Sequence, residues 1–500
     1  MSITVTENLA SGKEQMGSET QLIFEKHSRN NTGWLPEMSP GDKKAATAGI
    51  PENALRKKKA RLPQASELDV VRHFTHLSKK NFCVDSHFYP LGSCTMKYNP
   101  KFLDAIANEA GFADIHPYSE TDAVQGSLSI LFEMQVLLSK ITGMDEFTLQ
   151  PAAGAHGELC GLLVIGAYQR SRNEKKTKVL VPDSAHGTNP ATAALCGYEV
   201  VQIKTDAKGH VNLEDLKTKC DSSVACLMMT NPNTLGLFEK DILAIAKVVH
   251  GSGSLLYYDG ANMNALLGIT RPGDMGFDVV HLNLHKTFAV PHGSGGPGSG
   301  PVGVKKHLIP FLPKPRILKE KSRYFFEENA PQSIGKLRSF YGNFGAIIRS
   351  YFYILAHGAE GLLAISENAI LNANYLKANL RSLYEIPYNG FCMHEFVMSA
   401  KNQKIRSGVR ALDIAKRLLD YGMHAPTIYF PMIVEEAMMV EPTETESRAT
   451  LDAFVDVLRR IEREIQEEPA TVLEAPHTMP VSRIDEVQAA RRPDLRYIFS

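Results

Sequence analysis

The sequence predicts an α/β architecture, a large domain built on a mainly parallel sheet and followed by a smaller C-terminal α+β domain. Three observations carry this expectation. Between residues 178 and 283, short apolar runs alternate with helical segments, the pattern of strands covered on both faces. Beyond Pro315 the pattern changes to long helical stretches with isolated strands between them. A chain of 500 residues also exceeds what one hydrophobic core usually holds.

The elements follow in order. Residues 1–124 read as an N-terminal tail and arm: the first twenty or so are polar, and few clean periodic segments follow. Within the arm, "DSHFYPLGSCTMKYNP" (85–100) is rich in turn formers, which suits a loop lining a site and an ordered surface loop equally. The large domain is expected over 125–320. It opens with "SILFEMQVLLSKITG", where Ile130, Leu131, Met134, Leu137, Leu138 and Ile141 recur at helical spacing and Gly143 can close the helix. Strands are expected at 178–182, 199–203, 224–230, 254–259 and 278–283, with a helix at 241–250. Residues 321–500 should hold linker helices, beginning at 342–358, and the small domain. There 393–400 and 427–431 read as strands, and 411–422 and 448–465 as helices.

Composition narrows the function classes. Lys plus Arg equal Asp plus Glu at 55 each, so no global field favours nucleic acid or a membrane surface. The basic run from Arg56 to Arg61 reads as a solvated face. Seven scattered cysteines without a CxxC pair suit a reducing compartment. With no signal peptide and no apolar run able to span a bilayer, a cytoplasmic location is expected. Cys83, His87 and Cys94 are close in sequence but lack a fourth ligand at a convincing spacing, so no metal is expected.

In open α/β sheets, ligands sit beyond the carboxyl ends of the strands. Four groups fall there. Ala153, Gly154 and Ala155 in "PAAGAHGE" would let backbone amides approach a phosphate at a helix start; a plain small-residue helix start is the equal alternative. His186 follows the strand at 178–182, where it could pack on a planar ligand or be structural. Asp259 ends the apolar strand "SLLYYD"; a carboxylate there is costly unless paired, with a cationic ring nitrogen or as a helix cap. Lys286 follows the last strand, between His285 and Thr287 and ahead of the small-residue run "GSGGPGSG". Alone it would be a surface lysine. A phosphate cradle, a strand-end Asp and a later strand-end Lys together are the parts that hold pyridoxal 5'-phosphate: the lysine amine joins the cofactor, and the Asp keeps its ring nitrogen protonated. The order of these parts follows the fold-type-I pyridoxal-phosphate enzymes.

The motifs "DSHFYPLGSCTMKYNP", "QPAAGAHGE", "DSAHGTNPA", "TNPNTLGLFE", "YYDGANMNA", "DVVHLNLHKTF", "SFYGNFG", "DYGMHAPTIYFP" and "EPTETES" go further. Over most of residues 25–490 the chain resembles the glycine dehydrogenase (decarboxylating) family, the P-protein of the glycine cleavage system. It is similar to the lysine-bearing half of that family. This implies a two-subunit form in which a separate α chain, glycine dehydrogenase subunit 1, pairs with the β chain in an α2β2 assembly. The resemblance implies an oxidoreductase acting on CH–NH2 with a disulfide acceptor: glycine loses CO2, and its aminomethyl group passes to the lipoyl arm of the H-protein. By position it implies Lys286 as the catalytic, cofactor-bearing lysine, Asp259 at the ring nitrogen and His186 on the ring face. Ala153, Gly154 and Ala155 would take the phosphate, with His285 or Thr287 adding donors, while Thr230, Asn233 and Ala261 would line the site. One departure is Ser294, where the family loop tends to have glycine. No Rossmann dinucleotide-binding fingerprint is read in the sequence, which agrees with a reaction that needs no nicotinamide. The alternatives are another fold-type-I enzyme (an aminotransferase or decarboxylase), which would turn over without a lipoyl protein, and a non-catalytic subunit, which would lack the lysine.

Overall fold

The computed structural model describes residues 21–26, 38–58, 62–116, 118–293 and 298–496. The expected loose tail over the first twenty residues, the end of the basic run at 59–61 and the departure at position 294 lie outside the described residues. The chain divides into two compact units. One comprises residues 1–83 and 476–500. Its helices Pro40–Ala46 and Glu67–Ser78 each start at a serine whose hydroxyl takes an amide of the first turn, with an Asp three residues on answering the serine's own N–H.

The other unit, Val84–Ala475, carries the sheet. Its first seven strands are β1 (Glu146–Thr148), β2 (Lys178–Pro182), β3 (Glu199–Ile203), β4 (Val224–Met229), β5 (Leu255–Gly260), β6 (Val279–Leu282) and β7 (Val302–Val304). They pair in the order β1-β7-β6-β5-β4-β2-β3. The five from β6 to β3 are mutually parallel, and β7 runs antiparallel to both of its neighbours. Strand patterning explains why both faces are covered. Along β5, Leu256 and Tyr258 enter the core on one side, and Leu255 and Tyr257 the core on the other. All six residues of β5 are buried. Helix Gln125–Thr142 lies on the first face and ends where Gly143 takes a left-handed φ of 72°.

The strands expected at 178–182, 199–203, 224–230, 254–259 and 278–283 are present within a residue of the read boundaries, and the one expected at 393–400 is confined to Phe396–Ser399. Strands β1 and β7 were not legible, since three residues show no period. The hairpin of β8 (Arg316–Glu320) and β9 (Arg323–Glu327) was also missed, because its residues are largely polar or half-exposed.

Helix Phe344–Leu380 links the two cores and is interrupted at Gly358, whose φ is 59°. Ile347, Tyr351 and Ile354 before the break pack into the large core; Ala373, Leu376 and Leu380 after it pack into the small one. The small sheet comprises β10 (Phe396–Ser399), β11 (Thr427–Ile428) and β12 (Ala437–Val440) in the antiparallel order β10-β12-β11. The strand expected over 427–431 stops after two residues, since Tyr429 turns to a positive φ of 58°. Helix Arg448–Glu467 covers this core with Leu451, Phe454, Leu458 and Ile461. No helix among the described residues is long and apolar enough to cross a membrane.

Phe454 is fully buried and meets Phe88 edge-on at 5.0 Å. Phe454→Ala should cost about 3–5 kcal/mol in the unfolding of this region, read by denaturant titration. A cost under about 1 kcal/mol would show that the small core is not packed around this ring.

Candidate active site

Three strand ends and one helix start converge on a cavity of about 270 Å³. Asp259 arrives on β5, Lys286 on the loop after β6, and His186 on the loop after β2, all at carboxyl ends. Of the residues singled out from the sequence, Lys286, Asp259, His186, Ala153, Gly154, Ala155, Thr230, Ala261, His285 and Asn233 line this cavity. Thr287 does not. It is buried, and its hydroxyl accepts the Met263 N–H at 2.8 Å, bracing the loop after β5. Asn233 is also occupied as a brace: its amide donates to Gly209 O and accepts the N–H groups of Leu235 and Leu237.

The helix Gly154–Ser171 begins without a side-chain cap, because its preceding residue is Ala153. Its first amides are therefore free to bind an anion. Gly154 is required there: a Cβ would come within 2.5 Å of Asn283 Oδ1.

Asp259 is 4% exposed, and its partners explain how it is tolerated. One oxygen accepts the Ala261 N–H at 3.0 Å, the other the Asn189 side-chain amide at 2.8 Å. Parallel register sets His281 of β6 directly beside it, with Nε2 at 3.1 Å from Oδ1. The other ring nitrogen, Nδ1, meets the Tyr257 hydroxyl at 2.9 Å. Burial works to raise the Asp259 carboxyl; the His281 charge and these donors outweigh it and hold the group below the ordinary carboxylate range. For His281, burial works to lower the imidazole, and the Asp259 and Glu158 charges raise it above its ordinary value. Glu158 stands beside this pair, a carboxylate oxygen within 4.8 Å of both, and accepts the hydroxyls of Thr188 and Thr192; Thr188 in turn meets His186 Nδ1 at 2.8 Å.

Lys286 donates from Nζ to the Ser93 carbonyl at 2.7 Å. This resolves the open reading of residues 85–100, since Ser93 stands on the cavity wall in a left-handed conformation, φ 59°. The stretch is laced to two distant motifs. Thr95 and Asn262 both donate to Glu441, and Lys97 and Asn264 both donate to Glu444. His285 beside the lysine is kept neutral: burial, then His292 and Lys286, push its imidazole down to about 3.

Sequence reading missed Ser93, Glu158, Asn189, His281, Glu395 and Glu441. His281 left a signal, as a histidine inside an otherwise apolar strand. The others became visible only through spatial neighbours.

The residues fit pyridoxal phosphate on structural grounds. A bare helix start suits a phosphate, and an ionised buried Asp suits a protonated ring nitrogen. A lysine amine reaches the same cavity, and the Asn189 and Asn283 amide oxygens are buried without partners. Fold and site together define a fold-type-I pyridoxal-phosphate enzyme.

Comparison with known proteins narrows the class. Residues 42–318 match the family described as glycine cleavage system P-protein, and residues 365–479 match the glycine dehydrogenase C-terminal domain. The chain belongs to the glycine cleavage system P-protein family. It is 56% identical to a probable glycine dehydrogenase (decarboxylating) subunit 2 of Exiguobacterium sibiricum, covering 96% of this chain and 98% of that one. A relative of the same description from Thermotoga petrophila is 58% identical over 90% of this chain and 94% of its own. Among solved structures, a glycine decarboxylase (P-protein) in inhibitor-bound form shares the fold at TM-score 0.71 and 19% identity, covering 85% of this chain and 99% of that one. A sphingosine-1-phosphate lyase from Burkholderia pseudomallei matches at TM-score 0.61 and 14% identity, over 86% and 97%.

The His281–Asp259 pair carries a pH signature. A raised imidazole stabilises the fold fully below the ordinary histidine range, and this is lost as pH rises through the folded value. A depressed carboxyl stabilises above the ordinary aspartate range, and this is lost as pH falls through its folded value. The stability margin of wild type over His281→Asn should therefore be widest near about pH 6 and narrow as the pH rises above the ordinary histidine range. A margin that widens with pH in thermal unfolding would contradict the pairing.

Proposed function

We propose that the chain decarboxylates glycine with pyridoxal phosphate and passes the aminomethyl group to the lipoyl disulfide of an H-protein. The observation that carries this is the convergence of Lys286, Asp259 and an uncapped helix start on one cavity, in a member of the P-protein family. Bound pyridoxal phosphate supplies the electron sink for the pair left behind when the carboxylate departs.

The chain's own residues do the rest. Lys286 offers the amine that anchors the cofactor, and the Ser93 carbonyl gives that amine a resting partner when it is released. Asp259, kept ionised by His281 and Asn189, pairs with the ring nitrogen. The amides at Gly154 and Ala155 take the phosphate. His186, oriented by Thr188, covers the ring face, and its ring meets Phe430 in a T-shaped contact at 5.8 Å between centroids.

The relatives are named as subunit 2, which supports a second, α-type subunit; we read the working enzyme as an α2β2 assembly acting on a lipoylated H-protein. The cysteines of the described residues are free, in keeping with a cytoplasmic location.

The purified chain supplied with pyridoxal phosphate should show the visible band of an amine-bound cofactor. Borohydride should then fix the cofactor to the peptide carrying Lys286. Lys286→Ala should lose both the band and, with the α subunit and H-protein present, glycine–bicarbonate exchange. A tag on another lysine, or exchange surviving in Lys286→Ala, would overturn the assignment.

A further inference from the structure

We propose that Glu395 holds a proton against the cavity wall and delivers it to the sulfur that leaves when the lipoyl disulfide opens; the proposal rests on the function just described. Glu395 and Glu441 are 2% and 0% exposed, and a carboxylate oxygen of each lies within 4.8 Å of the other and of a His394 nitrogen. Among the described residues neither has a lysine or arginine in salt-bridge contact; Glu395 has only His394 Nε2 at 3.7 Å. Two carboxyl groups buried this closely do not both ionise, so the pair keeps one proton.

Hydrogen bonds decide which carboxyl keeps it. Glu441 accepts three short donors: Thr95 N–H at 2.9 Å, Thr95 Oγ1 at 2.7 Å and Asn262 Nδ2 at 2.8 Å. Glu395 accepts one, Ser93 N–H at 2.7 Å, with the Ser93 hydroxyl at 3.3 and 3.4 Å. Donors favour the charged form, which places the charge on Glu441 and the proton on Glu395. Glu395 is also the one that lines the cavity. The groups facing it are Glu441, Lys286, His394, Cys94 and Cys392. Burial and then Glu441 raise its carboxyl well above the ordinary range, against the opposing Lys286 charge. His394 is no substitute acid, since burial holds its imidazole below its ordinary value. Ser93 ties the acid to the chemistry: its N–H meets Glu395, and its carbonyl meets the Lys286 amine.

The reaction needs such an acid. As CO2 leaves, the aminomethyl carbon bonds one sulfur of the disulfide. The S–S bond breaks, and its electron pair departs on the other sulfur. That sulfur takes the Glu395 proton and becomes a thiol. The disulfide is the oxidant. The proton given up by the ammonium group of the next glycine restores the acid, so each turnover balances. Asp259 cannot serve here, since His281, Asn189 and the Ala261 N–H hold it ionised.

The test uses the assembled enzyme with its cofactor and lipoylated H-protein. Glu395→Gln keeps an acceptor for Ser93 N–H but has no acid proton. It should retain the cofactor band and the spectral change on adding glycine, yet transfer the aminomethyl group about 10²–10³-fold more slowly. The infrared difference between wild type and Glu395→Gln at neutral pH should show a protonated-carboxyl band. In Glu441→Gln that band should titrate away at lower pH, since its neighbouring charge is gone. Transfer at the wild-type rate in Glu395→Gln, or ionised-carboxylate bands in the difference spectrum, overturns the proposal. If wild type itself shows no transfer to the lipoyl arm, the functional reading fails, and this proposal with it.

Discussion

A carboxylate held ionised at the end of a fully buried strand is the constraint around which this site is arranged. Asp259 is out of water, so its charge has to be met by protein groups. Register between β5 and β6 supplies His281, the helix Thr188–Leu195 that follows β2 supplies Asn189, and the chain's own turn supplies the Ala261 N–H. Behind His281 stands Tyr257, which is itself a core residue of β5. The strand that delivers the Asp thus also delivers the group that orients its partner.

The same logic places Lys286. Its loop leaves β6 one strand over, so amine and carboxylate reach one cavity that the helix start at Gly154 also lines. What closes the site comes from far along the chain. Thr95 and Lys97 are tied to Glu441 and Glu444, and Asn262 and Asn264 are tied to the same two acids. Residues 95–97, the turn after β5 and the segment after β12 therefore meet through polar contacts. Such networks fix geometry, because leaving any one member unpaired is costly.

Much of this was legible beforehand. The parallel strands showed as apolar runs because both faces are covered, and the strand-end residues Asp259, His186 and Lys286 showed because polar groups are conspicuous at the ends of such runs. The three-residue strands β1 and β7 were invisible, being shorter than any period. Thr287 illustrates the opposite error: adjacent to the lysine, it still turns away to brace Met263. Sequence neighbourhood does not state which way a side chain points.

By itself the sequence determined the secondary-structure alternation, the parallel large sheet, the family and the place of Lys286 just beyond a strand end. These depend on local patterns and ordered motifs, which a linear text preserves. Only the tertiary structure decided that His281 holds Asp259 ionised, that Ser93 stands between Lys286 and Glu395, and that Glu395 and Glu441 form one buried pair. Those facts depend on groups separated by tens to hundreds of residues meeting within a few ångströms, where the low dielectric makes each pairing decisive.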